Sequence, residues 1–421
     1  LTWDSAKNMQ KDPANLLMQE VYGCKLKVVR TTYAELPGKA VNLRLAGNTP
    51  DLIKFRNSVN AGNDKYSAPG AYVVLTADID LNPGWDASSK IAPPNVLPAC
   101  FYMKGTFDGQ GYSLKGIYKD GTENATLFVL SEGNSVVKNL KIENSYFHSS
   151  KNGTGIFGAA RGSLVFENVY VDAICESEGA EGGLGSAAGF VSWFNCSADT
   201  MSPTVTFTNC IFAGSVTGKN AAAFVGTNDR PSTNRGQGTY SVTMIDCVNY
   251  GTITATEGGT AAGFIGFCAN TATLTRCYNA GTSDVAFVNM TKRASDTLDN
   301  ATPVVTLEDC YYLATASTKA TTKALDATAV TLTIKYAGEA ATEVQTATAA
   351  ELVAKDAFKA NGTYEGWSFN GTIAGPAVLG CLVASHTPDA TPGVVTAPTC
   401  TAQGYTTYKC QKCEVSYKAD Y

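Results

Sequence analysis

Two histidines, His148 and His386, are the whole imidazole inventory of this 421-residue chain. That scarcity excludes most metalloenzyme sites and leaves little room for histidine-based acid–base catalysis or triads. Cysteine is more abundant, at 13 residues, an odd number that leaves at least one thiol without an intramolecular disulfide partner. Near the C-terminus, Cys410-Gln-Lys-Cys413 forms a Cys-x-x-Cys knuckle, with Cys400 and His386 upstream. One His and three Cys complete a tetrahedral zinc site, structural rather than catalytic because no coordination position stays open. Glu414 stands where a knuckle usually has Gly, and a disulfide from Cys400 to either knuckle cysteine, or free thiols, are the rival arrangements.

Four other cysteines recur in one local pattern: Phe207-Thr-Asn-Cys210, Met244-Ile-Asp-Cys247, Leu274-Thr-Arg-Cys277 and Leu307-Glu-Asp-Cys310. Each lies in an apolar/polar alternation, the mark of a half-buried strand. Cysteine-free versions precede them, Val137-Lys-Asn-Leu140 and Phe166-Glu-Asn-Val169. The last residues of the six copies are 29 to 41 positions apart. A second strand type, small residues around a phenylalanine, recurs at Phe128, Phe157, Phe190, Phe224, Phe264 and Phe287. A unit of that size cannot bury its apolar face alone, whereas stacked copies bury a continuous core. Short strands, Gly-rich corners and little helical periodicity predict an all-β parallel solenoid. Equivalent residues of successive coils then stack about 4.8 Å apart. The six phenylalanines form one internal ladder, and Cys210, Cys247, Cys277 and Cys310 another. Stacked side chains in parallel strands point the same way, which is poor disulfide geometry, so these thiols are expected reduced and packed.

The chain is mildly acidic, 32 Lys+Arg against 37 Asp+Glu for a net charge of −5, which gives no footprint for nucleic acid. Charged residues are 16% of the chain, below the roughly 25% of ordinary soluble domains, yet mean hydropathy is only −0.06. Uncharged Thr, Ser, Asn and 40 Gly supply the polarity. No run of about 18 apolar residues exists to span a membrane. The chain begins at Leu1 and reads as a mature or trimmed piece of a longer precursor.

Three stretches carry a family resemblance: Asn48 to Gly62, Val74-Leu-Thr-Ala-Asp-Ile-Asp-Leu81, and Gly105-Thr-Phe-Asp-Gly-Gln-Gly-Tyr-Ser-Leu114. With the Gly-x-Phe-x-Gly-like elements after them, they resemble GLUG-motif surface proteins, secreted proteins of gut bacteria. Ala223 and Ala286 depart from the pattern at its first Gly. The resemblance covers roughly residues 46–380. It implies a right-handed parallel β-helix of the pectate-lyase-like kind, exported to the cell surface. The segment around Cys400, Cys410 and Cys413 resembles short His/Cys repeats of Firmicutes surface proteins.

On this reading residues 1–45 form an N-terminal arm or cap, 46–318 the β-helix, 319–382 its C-terminal cap, and 383–421 a small His/Cys-rich ribbon-like module. Leu52, Phe55 and Val59 share helical spacing between the start signal Thr49-Pro50-Asp51 and the stop at Gly62, predicting an amphipathic helix that plugs the N-terminal end. A strand is predicted at 329–336 and a helix at 347–360.

Enzymes of the β-helix class need clustered carboxylates with a base or calcium. His148 has no acidic cluster beside it in the sequence, and Asp78, Asp80 and Asp108 sit in turn contexts. Glu176, Glu178 and Glu181 read as a solvated face of a long loop, 174–187. The expectation is an extracellular, non-catalytic structural or adhesive protein. It either self-assembles through the N-terminal arm or the solenoid ends, or binds a glycan or host protein as a monomer; a polysaccharide lyase is the third reading. Trp193, Tyr240 and Tyr250, near the loops, are candidate sugar-stacking residues, with core packing as the alternative for each.

Overall fold

The computed structural model describes residues 3–4, 9–10, 42–46, 49–61, 70–96, 100–179, 185–194, 202–229, 240–291, 303–322, 331–336 and 339–347. It also describes short strand segments at 367–369, 374–376, 393–397, 405–409 and 416–419. The chain is almost entirely β, dominated by one large, mostly parallel strand system. Its ordering principle is the repeat itself. Each strand pairs in parallel with its counterpart one repeat later, so Val137, Phe166, Phe207, Met244, Leu274, Leu307 and Ile334 fall in a single register row. Every member of that row is buried. Antiparallel pairing enters where Thr331–Tyr336 meets Glu339–Ala341, and in the separate sheet of Val394–Thr396, Tyr405–Lys409 and Ser416–Ala419.

The recurring Asn/Asp position of the sequence motif is a corner of the backbone, lying within the long strands at Asn139 and Asn168 and directly after the strand in the later copies. Asn139, Asn168, Asn209, Asp246, Arg276 and Asp309 all sit at φ between 50° and 55°, the left-handed region. Asn and Asp tolerate that conformation because their short side chains bond locally. The chain therefore turns at the same point of each copy and sends the next residue, Leu140, Val169, Cys210, Cys247, Cys277 or Cys310, into the core. The corner amides bond to one another between copies. Asn209 Nδ2 donates to Asn168 Oδ1 (3.1 Å), Asn168 Nδ2 to Asn139 Oδ1 (3.0 Å), and Asn139 Nδ2 to Asp108 Oδ1 (3.0 Å). Asp246 and Arg276 continue the corner as a bidentate ion pair at 2.6 and 2.7 Å.

Inside, the phenylalanines stack. Ring centroids are 5.0 Å apart for Phe128–Phe157 and Phe190–Phe224, 4.9 Å for Phe224–Phe264 and 5.3 Å for Phe264–Phe287. Phe166 bridges Phe157 and Phe190 edge-on. Such pairs add about 0.5–1.5 kcal/mol each beyond their area burial. The four recurring cysteines are free thiols and fully buried, as are Cys175 and Cys268.

At one end, Thr49–Asn60 is a helix that buries Leu52, Phe55 and Val59, with Phe55 on Phe107 at 5.9 Å. The predicted strand at 329–336 is observed as Thr331–Tyr336. Most of residues 1–45 and of the helix expected at 347–360 lie outside the described residues. No helix among the described residues is long and apolar enough to cross a membrane.

Candidate functional site

One place on the outer surface gathers titratable side chains from three successive copies. The strands Tyr118–Gly121, Ala125–Ser149 and Thr154–Ser177 pair so that Tyr118, Tyr146 and Ile174 share one row, and Asp120, His148 and Glu176 the next. Because side chains alternate across a strand, these residues face outward while Lys119, Phe147 and Cys175 face inward and are buried. Segment 82–96 folds over the tyrosines. Its Trp85 meets Tyr118 edge-on at 6.0 Å, and its short 3₁₀ turn Ala87–Ser89 is tied down by Ala87 N–H donating to Asn144 Oδ1 (2.8 Å).

His148 lies between two carboxylates, its Nδ1 2.8 Å from Asp120 Oδ1 and its Nε2 3.3 Å from Glu178 Oε1. Only the imidazolium can donate to both at once. Burial of the ring works against that charge, but the bonds and attraction of Asp120 and Glu178 outweigh it and hold the pKa above the usual histidine value. Beside it, Glu176 accepts from Lys90 Nζ (2.6 Å) and from the Tyr146 hydroxyl (3.0 Å). Burial first, and the Glu176 charge second, push the Tyr146 phenol well above its ordinary range.

This corrects two readings of the sequence. His148 does have acidic neighbours, contributed by the copies on either side, and Glu176 belongs to a strand and is paired rather than free in a loop. The offsets, 28 residues to Asp120 and 30 to Glu178, are close to one repeat and were the available signal. Chemically the cluster is closed. Both imidazole nitrogens are occupied by carboxylates, and among the described residues no group of three His, Cys, Asp or Glu could hold a metal. Its geometry suits a clamp between strands.

The three aromatic candidates are not brought together. Tyr240 is 1% exposed and packs edge-on against Phe194 at 5.6 Å, so its ring is core and cannot stack on a ligand. Tyr250 packs against a second apolar cluster that includes Tyr170, Ile211, Val248, Tyr278 and Tyr311. Trp193 is half-buried on the side of its strand opposite Phe194, between Ala159 and Thr227 in register, with its indole N–H shielded and lacking an acceptor. The turn role holds for Asp80, whose Oδ1 accepts from Asn82 N–H, and for Asp108, whose Oδ1 accepts from Gln110 N–H, both at 3.0 Å, whereas Asp78 Oδ1 accepts from Ser113 N–H of the following copy (2.8 Å). His386, Cys400, Cys410 and Cys413 lie outside the described residues, as does Glu181.

No family model matches the chain, and no curated protein matches it. A solved structure described as a "putative immunoglobulin A1 protease" from Bacteroides ovatus superposes with a TM-score of 0.44 and 16% identity, over 78% of this chain and 89% of that one. A likeness of that degree transfers neither a fold class nor an activity.

Proposed function

We propose that this chain is a right-handed parallel β-helix exported by a bacterium to its surface, where it serves as a non-catalytic structural or adhesive element of the GLUG-motif kind. One observation carries the reading: the unbroken register row from Val137 to Ile334, in which seven successive copies pair in parallel around one continuous core. A rigid stack of this type presents long, regular faces and two ends, which suits scaffolding or attachment. Against catalysis, the cluster with the best chemistry spends both nitrogens of His148 on ion pairs. A zinc ion held by His386, Cys400, Cys410 and Cys413 belongs to the same proposal as a structural element.

Light scattering with negative-stain electron microscopy on the native protein tests it. Rods of one chain's mass support the adhesive form, and regular fibres or sheets the assembling form. A globular particle, or release of unsaturated uronate from polygalacturonate in the presence of calcium, overturns it.

A further inference from the structure

We draw no further inference here: the strongest candidate, the column of buried thiols that Cys210, Cys247, Cys277 and Cys310 form along the inner side of the stack, lies wholly within the apolar core already described, and nothing in the structure shows a ligand or an oxidant that reaches it.

Discussion

His148 and Arg276 show how single side chains stitch adjacent copies together. The imidazolium of His148 is favoured in the folded state by Asp120 and Glu178, so its folded pKa lies above the unfolded value near 6.5. The sign follows from linkage: the stabilisation is fully present below about pH 6.5 and is lost as pH rises through the higher folded value. Asp120 and Glu178 are 51% and 62% exposed, so screening keeps the contribution under about 1 kcal/mol. His148→Gln should therefore melt below the wild type at pH 5.5, with the deficit shrinking as pH rises past the raised folded pKa; a deficit independent of pH would assign the loss to packing instead. Arg276 pays for its left-handed backbone (φ 50°), a cost of about 1–2 kcal/mol for a residue with a Cβ, and the bidentate contact with Asp246 offsets it. Arg276→Ala loses the contact and keeps the strain, whereas Arg276→Gly loses both. In urea titrations the alanine variant should be less stable than the glycine variant by about 1 kcal/mol, and the reverse order would remove backbone strain from the account.

At the scale of the element, the strand ladders were legible because burial imposes period two on every copy, and the copies differ little. Phe128, Phe157, Phe190 and their successors stand out as large apolar residues among small ones, and the structure stacks them ring on ring. The motif's third residue was harder to place, since an Asn inside an alternating string reads as an outward strand position until its φ is known. The His148 clamp was not legible from local sequence because its partners meet it across strands, roughly one repeat away in either direction. Tyr240 and Tyr250 illustrate the converse: an aromatic beside a loop looks available, yet both pack against apolar clusters. The cysteine ladder yields a direct check. Burial pushes the thiols of Cys247, Cys277 and Cys310 well above their usual pKa, and that of Cys268 up to about 12. Thiolate is the reactive form, so iodoacetamide at pH 8 should leave these four unlabelled in the native protein and label them in guanidinium, as read by peptide mass mapping. Labelling of Cys247 or Cys277 without denaturant would show that the stack opens locally.

For the molecule as a whole, stability follows from contacts that run mainly between neighbouring copies. Val242 sits between Val205 and Ala272 in register and is 1% exposed, near the middle of the stack. Placing a carboxylate there costs several kcal/mol, since its neighbours in the described core are apolar. In a globular domain with one shared core, such a lesion lowers the stability of everything together. Here the copies on the N-terminal side, including the long strands Ala125–Ser149 and Thr154–Ser177 and the helix that buries Phe55 against Phe107, keep their own nearest-neighbour contacts. Val242→Asp should therefore split thermal unfolding into two transitions. Hydrogen exchange should show the amides of residues 204–208, 241–245 and 271–275 losing protection first, while those of 125–177 retain it. The damage should spread further toward the C-terminal side, where the stack has no such helix among its described residues and ends in the antiparallel pairing of Thr331–Tyr336 with Glu339–Ala341. One cooperative transition with uniform loss of protection would mean that coupling extends well beyond adjacent copies, and a linear scaffold would no longer describe how this molecule holds together.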